Sequence, residues 1–382
     1  FPNVPSISSL TGLSNTLTVY QPSSTLRAPY LIQSAVALER QLTKVSTLSV
    51  TYLNSRGLHQ FFSDNVNAPL PGTYVFGNPS SGVRPLGNIG NVYQYISEGV
   101  FKQNQMIVSA SYRAGARLSL NSFYTLSFAH SDTNGINSFP ADPYDVGLDY
   151  GRAAFDVRHR FMLMGTVAGP WGFRVSPFVV FNSGAPYNIS IGQDLNGDSI
   201  LNDRPGFANT AAPAVTWTPS QPCPIGTQNC VTPLGAFNLA PGVAPIPLYN
   251  ATAPNNFTFN MRFSKTFGFG PERGRSGGQG GAGGPHGPGG GDMHGGGRGG
   301  LGPGGLGGMR GGMGLGGTTN RRYNLTLSVN ARNLFNNVNF APPVASLGSP
   351  NFGNFNSITN GGGFFGGSAA NRRLDFQAQF SF

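Results

Sequence analysis

Arg372–Phe382 reads RRLDFQAQFSF, and the fold turns on this stretch. Leu374, Phe376, Ala378, Phe380 and Phe382 take every second position, with Asp375, Gln377, Gln379 and Ser381 between them. Only an extended chain sorts those two sets onto opposite faces, because side chains alternate across a strand with a period of two. The same pattern recurs upstream. Tyr323, Leu325, Leu327, Val329 and Ala331 alternate with Asn324, Thr326, Ser328, Asn330 and Arg332. Phe257, Phe259, Met261 and Phe263 alternate with Thr258, Asn260, Arg262 and Ser264. An apolar face of this kind packs on a soluble core or meets lipid, and alternation alone leaves both open.

Length and turn spacing favour lipid. Strand-like segments run from Pro29 to Leu42, Ser46 to Gln60, Asn104 to Ala114, Arg117 to Ser131, Ala153 to Ala168, Gly172 to Ser183, Asn255 to Phe267, Arg321 to Phe335 and Arg372 to Phe382. Most exceed the usual soluble strand of about 5–6 residues and suit a tilted membrane strand of about 9–11. Tyr30, Tyr52, Tyr112, Phe155, Phe173, Phe267, Tyr323 and Phe335 fall near segment ends, where interfacial aromatic girdles belong. Connections alternate between tight (Thr43 to Val45, Gly115 to Ala116, Gly169 to Trp171) and long (Phe61 to Gln103, Asp132 to Arg152, Gly184 to Pro254, Asn336 to Asn371). With a periplasmic C-terminus, the tight turns are periplasmic and the long loops extracellular, the asymmetry of outer-membrane barrels. The expected fold is all-β, an antiparallel transmembrane β-barrel of which this chain supplies about nine strands. An odd count implies a partial barrel, since closed bacterial barrels use even numbers.

Composition agrees. Only 10% of the 382 residues are charged, and Gly accounts for 57, unlike a cytosolic enzyme. No apolar run is long enough for a transmembrane helix, so a membrane must be crossed by strands. The chain starts at Phe1 without Met or an apolar leader, so a signal peptide and an N-terminal domain are expected upstream. Lys plus Arg number 24 against 14 Asp plus Glu. Arg113, Arg117, Arg158, Arg174, Arg262 and Arg332 recur about one per strand, as lumen-lining residues would, and form no nucleic-acid patch.

Residues 268–317 break the turn rule: they are dominated by Gly (GGPHGPGGGDMHGGGRGG), fall on the periplasmic side, and are expected to be a disordered low-complexity insertion. Their GxGxxG-like strings lack a strand-then-helix context, and His286 and His294 are too few for a defined metal site.

Cys223 and Cys230 sit in CPIGTQNC, outside every strand segment. Without a nearby His or third Cys they cannot complete a zinc shell, and a disulfide stapling a loop is expected. In DLNGDSILNDRP, Asp194, Asn196, Asp198 and Asp203 offer oxygens to a hard cation such as calcium. Asx-turns capping their own backbone are the competing reading, and Arg204 could pair with Asp198 or Asp203. Asp156, Arg158 and Arg160 read as a charge ladder on one strand face. His59, His130 and His159 fall on strands or strand ends, and no GxSxG or HExxH string occurs, so no enzyme is expected. Tyr74, Tyr93, Tyr144, Trp217 and Tyr249 are loop aromatics able to stack on an extracellular ligand.

DVRHRF (156–161) and GAPYNI…DLNGDSILNDRP (184–205), with LSVNARNLFNNVNF (327–340), resemble the barrel of Oar-like TonB-dependent transporters. The resemblance covers nearly the whole chain outside the Gly tract. It implies an outer-membrane location amid lipid and lipopolysaccharide, a C-terminal position in a barrel of about 22 strands, and energy-coupled uptake of a bulky nutrient. The TonB-type partner would engage an N-terminal part that these residues do not include. No cofactor beyond possible calcium is implied. Two other expectations compete: a small passive porin, and a secreted calcium-binding β-sandwich adhesin.

Overall fold

The computed structural model describes residues 18–78, 80–272, 319–359 and 370–382. Nine long strands build one sheet: β1 Tyr30–Thr43, β2 Ser46–Asn65, β3 Val92–Ala114, β4 Leu118–Ser131, β5 His159–Ala168, β6 Phe173–Asn182, β7 Asn256–Glu272, β8 Arg321–Arg332 and β9 Arg373–Ser381. They lie side by side in chain order, each antiparallel to the next, and β1 does not meet β9. The sheet is therefore an open section of an up-and-down wall, matching the nine segments expected from alternation.

Register explains why one face is apolar. Leu38 pairs with Val50, Val50 with Val108, Val108 with Tyr124, Tyr124 with Phe161, Phe161 with Phe181 and Phe181 with Phe257. Directly paired residues share a face, so this row is one apolar belt across seven strands. Among the described residues nothing covers the belt: Leu38 is 71% exposed and Phe376 78%. Large contiguous apolar surface is untenable in water and stable in hydrocarbon. Among the described residues no second sheet packs on this face, as a β-sandwich would require. Polar side chains on the other face bond across strands: Gln33 Nε2 donates to Ser55 Oγ (3.1 Å), Gln103 Nε2 to Ser127 Oγ (3.0 Å), and the Thr266 and Thr326 hydroxyls lie 2.9 Å apart. On the lipid side, Asn54 Nδ2 and Tyr52 Oη both donate to Asn104 Oδ1, so those polar groups satisfy one another.

Four boundaries differ by several residues from the sequence expectation. β2 and β3 run past the membrane span to Asn65 and from Val92, because bulges between Gly57 and Phe62 shift the register and hide the alternation. His59 takes φ +56° inside that bulge. β5 begins at His159, not Ala153. Asp156 is buried in the preceding turn, where Arg152 Nε donates to its Oδ2 at 2.8 Å and Arg158 Nε lies 3.5 Å away. The expected Asp156–Arg158–Arg160 ladder is thus a folded hub, and the Arg158 guanidinium lies 4.6 Å over the Phe128 ring rather than in the lumen. Finally, Gly268–Glu272 of the expected Gly-rich insertion extend β7, pairing Gly268 with Asn324 and Phe269 with Tyr323. The rest of that tract, with His286 and His294, lies outside the described residues.

Candidate functional site

The four long connections between strands all rise from the same end of the sheet, over the described residues of 66–91, 132–158, 183–255 and 333–359. They fold into a head. Ile189, Ile191, Trp217, Phe237, Leu239 and Ile246 of the third connection bury against Leu347 and Phe352 of the fourth. Trp217 Nε1 donates to Leu347 O at 3.1 Å and its ring lies 5.4 Å from that of Phe352. A small sheet of Gly206–Phe207, Gly235–Asn238, Cys230–Thr232 and Val215–Thr216 frames this core, and Cys223 and Cys230 are joined by a disulfide within it. Loops that bury their own apolar residues hold a defined surface without help from the strands.

Polar nodes knit the remaining connections to this core. Arg204, 5% exposed, donates Nε to Ile246 O and Nη2 to Leu148 O, and pairs with Asp149. Asp149 was not among the partners that the sequence offered for Arg204, because the two are distant in the chain and no local pattern links them. Arg84 donates Nη1 to Asn67 O and Nη2 to Gly197 O, and Asn65 Nδ2 donates to Asp198 O, tying the first connection to the third. Asn196 and Asn202 donate to the carbonyls of Ala141, Phe139 and Pro140, tying the third to the second. Gly184 permits the close approach of two loop roots, since a Cβ there would land on Ala253 O.

The DLNGDSILNDRP segment is a nest of Asx acceptors at this junction. Asp194 accepts from Gly197 N (2.6 Å) and Ser199 N (2.8 Å), Asn196 Oδ1 from Asp198 N (3.0 Å), Asp198 Oδ1 from Ile200 N (2.7 Å) and Asp203 Oδ2 from Leu195 N (2.7 Å). Gly197 takes φ +79°, the left-handed geometry that the turn needs. Among the described residues, no three His, Cys, Asp or Glu side chains converge as a metal shell. Burial, opposed by the Ile200 amide and reinforced by Asp194 and Asp203, raises the Asp198 carboxyl to about 8. Burial likewise raises Asp203 to about 7, and Asp64, at the tip of β2, to about 6.

The loop aromatics divide. Trp217 and Tyr93 are buried structural rings, Tyr93 packing edge-on against Tyr20 and Phe139. Tyr144 is exposed on its ring while its hydroxyl donates to Ala68 O, and the Tyr249 hydroxyl accepts from Asn134 Nδ2. Tyr74 lies against Gly197.

A lipid-facing wall, a polar opposite face and a folded extracellular head define an outer-membrane β-barrel protein. Residues 1–276 match the family model described as an outer membrane beta barrel domain, and the chain belongs to that family. Its place is the outer membrane. Two solved structures are similar to it at low identity. One is the outer membrane transporter YddB from Escherichia coli (10% identity, TM-score 0.44, 95% of this chain and 33% of that one). The other is the FrpB iron transporter from Neisseria meningitidis, F3-3 variant (9% identity, TM-score 0.41, 95% and 33%). The chain thus spans about a third of the length of each. Among the curated proteins none matches it.

Proposed function

We propose that this chain is the C-terminal part of the barrel of an Oar-like, TonB-dependent outer-membrane transporter that takes up a bulky nutrient. The observation that carries the reading is the pairing of an open nine-strand wall with a knitted head at its extracellular end. Unpaired strand edges cannot stay open in lipid, where every backbone N–H and C=O needs a partner, so β1 and β9 must continue into further strands. At about 22 strands, the size that the resemblance implies, such a barrel carries a plugged lumen, whereas porins of about 16–18 strands leave an aqueous channel. The head offers a rigid capture surface above that lumen, and the DVRHRF and DLNGDSILNDRP motifs support the subtype. Energy coupling belongs to the plug and to the partner in the periplasm, and transport, not catalysis, is the role that this architecture serves.

Planar-bilayer recording of the full-length protein tests it. A plugged transporter shows no steady conductance until mild denaturant loosens the plug. A stable open channel in plain buffer would replace this reading with the passive porin.

A further inference from the structure

On the lipid-facing side, charge is confined to the two edges of the apolar belt. Arg40 and Lys265 stand near the periplasmic turns. At the other edge, register places Arg56 of β2 opposite Lys102 of β3, and Lys102 opposite His130 of β4. Arg56 and Lys102 are exposed. Arg56 is ten residues beyond Ser46 at the periplasmic turn, about 33 Å along the strand and roughly 25 Å in height at a tilt near 40°, the height of the hydrocarbon band. The row therefore lies at the headgroups of the outer leaflet.

Aromatic rings hold the cations in place. Lys102 Nζ is 5.7 Å from the Tyr150 ring centroid, and that ring stacks 6.1 Å from His130. Arg158 joins the same face over Phe128, with its side chain 40% exposed. A cation seated on a ring face keeps its N–H donors for an anion. Just above, a cleft of about 500 Å³ opens between the segment before β1 and the tops of β2 and β3, lined by Arg27, His59 and Glu98. Among the described residues Glu98 is the one carboxylate lining it; Asp156 nearby is buried, bonded to Arg152 at 2.8 Å and 3.5 Å from Arg158 Nε.

We infer that Arg56, Lys102 and Arg158, with Tyr150 and the cleft above, form a site for the phosphorylated headgroup of an outer-leaflet lipid. The occupant must be a lipid because the site opens sideways into the bilayer: on the same face, beyond the mutually bonded Asn54 and Asn104, lie Tyr52, Val50 and Val108, where acyl chains would run. Phosphate on that headgroup complements a row in which cations outnumber carboxylates. Such a lipid would clamp β2, β3 and β4 to the second loop, which supplies Tyr150 and Arg158, and so steady the base of the head.

The test is native mass spectrometry of the full-length protein in detergent, titrated separately with bis-phosphorylated lipid A, with the same lipid stripped of phosphate, and with inorganic phosphate. Expected are saturable binding of the phosphorylated lipid, about tenfold weaker binding to the Arg56→Gln/Lys102→Gln protein, and unchanged binding to an Arg40→Gln/Lys265→Gln control. Lys102→Gln alone carries the comparison, with about a threefold loss, should the double variant fold poorly. Equal binding of the stripped lipid, equal binding by the variants, or displacement by inorganic phosphate at matching concentration would each overturn the inference.

Discussion

In the wall, Leu38, Val36, Phe376 and Phe380 stand more than half exposed, whereas in the head Trp217, Phe237, Leu239, Ile246 and Phe352 are buried. The same residue types are thus spent in opposite ways within one chain. The wall is held by a continuous backbone ladder and takes its hydrophobic stabilisation from lipid. The head sits in water, has only short ladders, and depends on a compact core, on buried charge nodes and on a disulfide. The lesson is that damage in the head should stay in the head, and that the wall should respond to the bilayer and not to the loops.

The sharpest way to break this comparison is Arg204→Ala. It leaves Asp149 as an uncompensated buried carboxylate and removes the donors to Ile246 O and Leu148 O, a loss of roughly 3–5 kcal/mol by analogy with other broken buried pairs. Hydrogen exchange should rise across residues 183–255 and stay low in β2 to β5; a uniform rise would mean that wall and head unfold as one unit. Next comes Phe376→Arg, which puts a charge on the lipid face of β9 about midway through the wall, at a cost of roughly 2–4 kcal/mol. Its neighbour Gln377 faces the lumen, so Gln377→Arg should cost little in urea titrations of the vesicle-folded protein. Equal costs would undo the assignment of faces.

Reducing the disulfide, or replacing Cys223 and Cys230 with Ser, should remove roughly 2–3 kcal/mol from the head, as expected for so short a loop. Protease cutting between residues 215 and 239 reads this effect, and no change in cutting would show that the core holds the segment unaided.

The head's stability should also depend on pH. Asp198 and Asp203 titrate near 3.8 when unfolded and at about 8 and 7 when folded. A raised carboxylate pKa means that the fold binds the proton more tightly. The stability that it contributes is complete below about 4, is lost as pH rises through 7 to 8, and is flat beyond. Asp198→Asn should flatten that slope in thermal melts of the head. Calcium added at pH 8 discriminates further. A turn closed by its own amides leaves the slope unchanged, whereas a slope abolished by calcium would make Asp194, Asn196, Asp198 and Asp203 cation ligands.

Much of the wall was legible because a lipid-facing strand writes its environment into every second residue. All nine segments became strands, and the misreadings fell where that period fails. The bulges after Gly57 reverse the phase, the turn at Asp156 mimics alternation with Asp156, Arg158 and Arg160, and Gly268–Glu272 pair through backbone alone. The head was far less legible. Its motif DLNGDSILNDRP announced a turn, yet nothing local marks Arg204 as the partner of Asp149 or Trp217 as the partner of Leu347 O, contacts spanning 55 and 130 residues.

By itself, then, the sequence determined that this protein crosses a membrane with strands, which face of each meets lipid, and which end carries the large loops. These properties repeat over two residues or over one turn, so local order suffices to encode them. Tertiary structure alone decided how the four loops knit into one head, which aromatic rings are buried, and which cations line up at the outer edge of the belt. Those outcomes depend on strand register and on contacts between residues far apart in the chain, where the energy of a pair exists only once the intervening wall has brought it together.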